Sequence, residues 1–127
     1  MNIEIKKELI EHYLSAYNSF DVEGMLEVLS DDVTFENVQG GEVNASANGK
    51  GEFAELAEQA KSLFSERTQK IESITEESEK VIVKIQYHGI VASDLPNGMK
   101  AGNEISLNGV SEFTFSNHRI ISIRDIS

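Results

Sequence analysis

Helical periodicity is confined to the residues before about 66, and strand alternation takes over from Arg67 onward; this division most narrows what the chain can fold into. In the first part Ile5, Leu9, Tyr13, Tyr17 and Phe20 recur at steps of four, four, four and three, which draws one apolar stripe down a helix. Asn18 and Ser19 weaken that helix, and Asp21 reads as the N-cap of a second one with Glu23 in its first turn. Val22, Met25, Leu26 and Leu29 fall at i, i+3, i+4 and i+7, so the second helix is short and ends at Ser30-Asp31-Asp32. Val33 to Asn37 alternates as a half-buried strand, with Val33, Phe35 and Asn37 on one face and Thr34 and Glu36 on the other. Residues 39 to 51 hold Gly40, Gly41, Gly49 and Gly51 among Asn, Ser and Ala, and read as a flexible connection at the rim of a cavity. A third helix follows, with Phe53, Leu56, Ala57, Ala60, Leu63 and Phe64 on one side and Glu52, Glu55 and Glu58 opposite.

Four strands are predicted after it, at about 67–76, 80–93, 104–116 and 119–126. In the second of these, Val81, Val83, Ile85 and Tyr87 face inward. In the third, Ile105, Leu107, Gly109, Ser111, Phe113 and Phe115 share a face, and a tight turn at Asn117-His118 leads to Ile121, Ile123 and Asp125 on the last. Leu95-Pro96-Asn97-Gly98 fits a turn forming a lip over a pocket. The order helix, helix, strand, helix and four strands implies one α+β domain over residues 1–127, a curved mixed sheet wrapping its helices. The large inward residues Tyr17, Phe35, Phe53, Phe64, Val83, Ile85, Tyr87 and Phe113 then line a pocket for a small apolar molecule.

Charge and composition remove several functions. Of 22 acids and 11 bases, residues 1 to 80 hold 18 acids and 7 bases, while residues 81 to 127 hold 4 of each. The acidic surface of the helical half repels phosphate backbones and anionic lipid, so neither nucleic acid nor a membrane surface is an expected partner. No cysteine is present, which removes disulfides and thiol chemistry. The N-terminal residues lack the pattern of a secretory signal, and a cytoplasmic protein is expected. His12, His88 and His118 form no metal-ligand spacing and no phosphate-loop pattern follows a strand, so function without metal or cofactor is expected.

Three local signatures resemble the nuclear transport factor 2-like superfamily, in its ketosteroid isomerase and SnoaL-like polyketide cyclase branch. They are Tyr13 with Asn18 to Asp21 and the helix running into Asp31-Asp32, the Gly49-Lys50-Gly51 segment before a helix, and the closing hairpin from Val110 to Asp125. The resemblance implies a cystatin-like, cone-shaped α+β roll, three N-terminal helices packed in a strongly curved mixed sheet around an enclosed apolar pocket. It also implies a homodimer through the outer sheet face, which here would show Lys84, Gln86, His88, Val110, Glu112 and Thr114.

Ketosteroid isomerases move a proton with a carboxylate base and stabilise the oxyanion with a tyrosine and a protonated aspartate. By resemblance, Tyr13 takes the place of that tyrosine, Asn37 the place of the base and Ser111 the place of the second oxyanion donor. An amide cannot relay a proton, so steroid isomerisation is not expected. Several SnoaL-like cyclases resemble this chain in carrying an acid on the closing strand, here Asp125. Tyr13, Asn37 and Asp125 are thus the catalytic candidates. Each also has a structural alternative: a core tyrosine, a strand-ending turn residue and an aspartate near a fraying terminus; Ser111 is either a pocket group or merely small. Two functions stay open, a module that binds a small apolar ligand and a cofactor-free isomerase, cyclase or dehydratase acting on a small carbonyl compound.

Overall fold

Asn2 opens the first helix by accepting a hydrogen bond from the Ile5 N–H at 2.9 Å in the computed structural model, which describes residues 1–96 and 98–127. Helix α1 (Ile3–Asn18) buries Ile10, Tyr13, Leu14 and Ala16. The expected stripe is therefore turned: Ile5, Leu9, Tyr17 and Phe20 flank the contact and are half-buried. The reason is that α1 packs against two elements, the second helix and a strand, so its apolar arc is wider than one line of residues. Asp21 caps α2 (Val22–Leu26) as expected, its carboxylate accepting from the Gly24 N–H at 3.0 Å.

Three boundaries differ from expectation, each because strand pairing overrides a local pattern. Leu29 does not close α2 but begins β1 (Leu29–Gln39), where it pairs in parallel with Ile120, and the Ile120 N–H donates to Val28 O at 2.8 Å. The supposed flexible connection is strand β2 (Glu42–Asn48), antiparallel to β1 across a two-residue turn at Gly40-Gly41, both with positive φ. Two successive glycines in that conformation are a hairpin turn, a signal that composition alone disguised. Helix α3 (Gly49–Lys61) is shorter than expected; Leu63 lies outside it and is exposed, and Phe64 already belongs to β3 (Phe64–Glu77).

The remaining strands, β4 (Lys80–Val91), β5 (Glu104–Ser116) and β6 (Arg119–Ile126), follow the predicted spans closely. All six strands form one sheet in the order β2-β1-β6-β5-β4-β3, antiparallel except for β1 with β6. The architecture is α+β, three helices packed against a mixed six-stranded sheet. The inward parity of Val81, Val83 and Ile85 is as predicted, and these join Ile10, Met25, Leu29, Val33, Phe53 and Phe113 in one core. On β6 the parity breaks: Ile120 rather than Ile121 is fully buried, because a register shift between Thr114 and Phe115 rotates the hairpin end. Beyond it Ile123 faces the core as expected. The turn expected over Leu95-Pro96-Asn97-Gly98 includes Asn97, which lies outside the described residues; Gly98 N–H donates to Leu95 O at 3.1 Å. Among the described residues no helix is long and apolar enough to cross a membrane.

Side chains fasten α1 to the sheet edge. The Asn18 amide donates to Gln69 O at 3.3 Å and accepts from Gln69 N–H at 2.8 Å, while Lys6 and Glu76 pair at 2.6 Å. Two bonds to one backbone residue fix the last turn of α1 on β3, and with it the outlook of Tyr13 and Tyr17.

A Cβ at Gly24 would stand 2.5 Å from the Asp21 carboxylate and 3.0 Å from Ala16 Cβ, so Gly24→Ala displaces the cap. We expect it to lower the urea-unfolding free energy by about 1–2 kcal/mol, the usual worth of an N-cap. Gly51→Ala, where a Cβ meets nothing within 4 Å, should be neutral or stabilising by up to about 1 kcal/mol from helix propensity. Equal losses in both would contradict the packing described.

Candidate functional site

One lateral row of residues crosses the sheet from β2 to β4. Ala45 pairs with Asn37, Asn37 with Asp125, Asp125 with Ser111, and Ser111 with Val83. Because cross-strand partners share a face, the row brings two of the sequence candidates side by side and adds Ser111 as the third neighbour. Ser111 Oγ donates to Asp125 Oδ1 at 2.7 Å. Ser111 is thus more than a small residue, since its hydroxyl is committed to the neighbouring carboxylate. Asp125 is no fraying-terminus aspartate either: β6 lies between β1 and β5, in the middle of the sheet.

Two cavities meet at this row. The first, of about 470 Å³, lies beneath the helices and is walled by Tyr13, Met25, Phe35, Phe53, Leu56, Ala57 and Arg67. The second, of about 260 Å³, opens toward β3, β4 and β5, with Phe64, Gln69, Ile85, Tyr87, Leu107 and Ser111 in its walls. Tyr17, Asn37 and Asp125 line both. Of the expected lining, Tyr17, Phe35, Phe53, Phe64, Ile85, Tyr87 and Ser111 are found in one cavity or the other. Val83 and Phe113 line neither; both are fully buried in the core behind the cavities, because inward parity at mid-strand leads into packing rather than into space. Leu95, Pro96 and Gly98 line neither cavity. Ala45 contributes through β2, the strand missed in the sequence.

The electrostatics follow from burial. Desolvation raises the Asp125 carboxyl to about 6, with the Ser111 hydrogen bond pulling in the opposite direction. The residue as a whole is only partly buried, and it is desolvation of its carboxyl that raises the pKa. Tyr13 is 3% exposed and meets Phe113 edge-on at 6.0 Å and Phe53 at 6.3 Å. Its phenol is pushed well up, first by burial and then by the nearby Asp125 charge, and so stays protonated. Among the described residues the Tyr13 hydroxyl makes no hydrogen bond, which leaves it a donor at the cavity wall. Burial also raises Tyr17 and Tyr87, whose hydroxyls meet at 3.3 Å. Asn37 is tied differently: its amide donates to Asn44 Oδ1 at 2.7 Å, and Asn44 donates to Gln39.

The sequence reading missed Arg67. It is 3% exposed, its Nε donates to Tyr17 O at 3.1 Å, and its guanidinium stacks on the Tyr17 ring at 3.7 Å and against Phe20 at 4.6 Å. Arg67, Gln69 and Ile71 share a phase opposite Glu66, Thr68 and Lys70, but with polar residues in both phases no alternation marked the inward face.

A family model described as a SnoaL-like domain matches residues 10–123. No curated protein sequence matches the chain. Among solved structures, a proposed polyketide cyclase from Xanthomonas campestris pv. campestris is similar at 20% identity and a TM-score of 0.83, covering 100% of this chain and 93% of that one. IdmH, a proposed polyketide cyclase from Streptomyces antibioticus, is similar at 14% identity and a TM-score of 0.77, covering 94% and 89%. An NTF2-like protein of unknown function from Burkholderia pseudomallei is similar at 19% identity and a TM-score of 0.77, covering 98% and 90%. Identities this low establish the shared fold alone.

The raised carboxyl has a stability consequence. Folded Asp125 keeps its proton up to about pH 6, whereas an unfolded aspartate releases it near 3.8. Between those values the folded chain binds more protons, so raising the pH lowers stability; the penalty is absent below the unfolded value and complete above the folded one. Wild type should therefore lose up to about 3 kcal/mol relative to Asp125→Asn between pH 4 and 7, by urea unfolding at each pH. A difference that does not change with pH would show that the carboxyl is not desolvated.

Proposed function

Because the chain belongs to the SnoaL-like domain family, we propose that its cavities bind a small, largely apolar carbonyl compound and that Asp125 moves a proton on it. The observation carrying this reading is one carboxyl, raised to about 6, and one free phenol, Tyr13, on the wall of the same apolar cavity. Near neutral pH such a carboxyl is mostly ionised yet more basic than an ordinary aspartate, which suits a general base. The C–H bond next to the carbonyl breaks, the proton passes to Asp125, and the electron pair moves onto the carbonyl oxygen. The Tyr13 O–H donates to that oxygen, and Asp125 returns the proton to the same frame. Isomerisation and cyclisation both begin with this step. The similarity in fold to two proposed polyketide cyclases is consistent with it.

The reading excludes steroid isomerisation by the related enzymes' arrangement. Asn37 has no base to offer and its amide engages Asn44, while the Ser111 hydroxyl serves Asp125 rather than an oxyanion. The base stands one strand away from the place that resemblance assigns to it.

Exchange of the α-protons of 2-tetralone in D2O, followed by proton NMR, tests the proposal without knowledge of the natural substrate. Wild type should accelerate exchange over buffer, and Asp125→Asn should lose about 10²–10⁴ of that acceleration, the usual contribution of a positioned base. Tyr13→Phe should lose less. Bound tetralone with no exchange would reduce the protein to a binding module. Robust turnover of a β,γ-unsaturated ketosteroid by wild type would contradict the exclusion, and a gain of that activity in Asn37→Asp would locate the missing base.

A further inference from the structure

The cavity beneath the helices contains one feature that an apolar carbonyl ligand does not explain. Arg67 is buried among aromatic rings, its Nη2 is shielded from water without a hydrogen-bond partner, and among the described residues it forms no ion pair. Among the described residues Asp125 is the one acid in the lining of this cavity, and it is bonded to Ser111 instead. A buried cation without a counter-charge is costly, and stacking on Tyr17 and Phe20 relieves only part of that cost. Phe20 adopts a left-handed backbone, φ 58°, where its ring meets the guanidinium, so the chain accepts local strain at the position that holds the cation.

We propose that Arg67 makes this cavity a receptor for an apolar carboxylate, whose carboxylate pairs with the guanidinium while its hydrophobic frame lies on Phe35, Phe53 and Leu56. The inference rests on the reading of the cavity as a ligand site and deepens it by naming the ligand's charged end. A neutral carbonyl in the cavity would leave the charge of Arg67 uncompensated. A carboxylate compensates it, and a guanidinium is the cation best suited to a partly desolvated ion pair. Larger polyanions are disfavoured, because a single arginine faces them and the protein carries a formal charge of −11. Asp125, in the lining of the same cavity but on β6, sets the other pole of the ligand, so the carboxylate lies toward β3 and the carbon that exchanges its proton toward β6.

The test compares 2-naphthoate with its neutral isostere 2-naphthamide by isothermal titration calorimetry. It is run at pH 5.5, where Asp125 is largely protonated and the naphthoate remains ionised. Wild type should bind the carboxylate at least tenfold more tightly than the amide. Arg67→Gln should abolish that preference while leaving amide affinity within a few-fold, and Arg67→Lys should keep part of it. Equal binding of both probes by wild type would overturn the inference and leave the apolar ligand site standing, with Arg67 a structural cation. Binding of neither would overturn the ligand-site reading and the inference with it. The wild-type comparison decides the matter even where Arg67→Gln fails to fold.

Discussion

The parallel pairing of β1 with β6 is the contact on which the rest depends. It joins the first strand to the last across nearly the whole chain, and it turns what would be an edge strand into the middle of the sheet. Ile120 and Ile123 are driven inward as β6 inserts, and Asp125, two residues further on, follows with the same parity. Water is removed from a carboxyl as a by-product of burying apolar surface, and a hydrogen bond from Ser111 offsets part of the loss. A group held in this way is less stable ionised than it would be in water, and that is the condition a general base requires. The feature that weakens the fold above pH 6 is thus the one that makes chemistry possible.

The opposite wall follows a similar logic. The Asn18 clamp on Gln69 sets the end of α1 on β3, and Tyr17 O then receives the Arg67 Nε–H. A cation from the edge strand β3 and an acid from the central strand β6 reach the same cavity without pairing with each other. Aromatic and aliphatic side chains make up most of the rest of its lining. Separated opposite charges across an apolar span form a polarised cavity, able to orient an elongated ligand as well as to hold it.

Much of this was legible in the sequence, for reasons that particular residues make plain. The helix stripe through Tyr13, the Asp21 cap and the alternation on β4 are local, and local periodicity survives folding. Leu29 was misplaced because its spacing from Val22 fits a helix equally well, and only its distant partner on the last strand, Ile120, decides the matter. The β2 hairpin was hidden by glycines whose positive φ reads as flexibility in composition and as a turn in geometry. Asp125 was legible as inward by parity, but its depth depends on strand order, which no local pattern contains. Arg67 carried no signal at all: its phase on β3 is polar on both faces, and its value lies in rings supplied by α1 and the α1–α2 junction.

The proposed chemistry depends on the state of one carboxyl. Site-resolved carbon-13 NMR of the Asp125 side chain, titrated from pH 3 to 9, measures it directly in wild type and in Ser111→Ala. A desolvated carboxyl should show a midpoint near 6 in wild type and a higher one in Ser111→Ala, where the hydrogen bond that favours the charged form is gone. A wild-type midpoint near 3.8, unmoved by the loss of the Ser111 hydroxyl, would mean a solvated aspartate and no poised base.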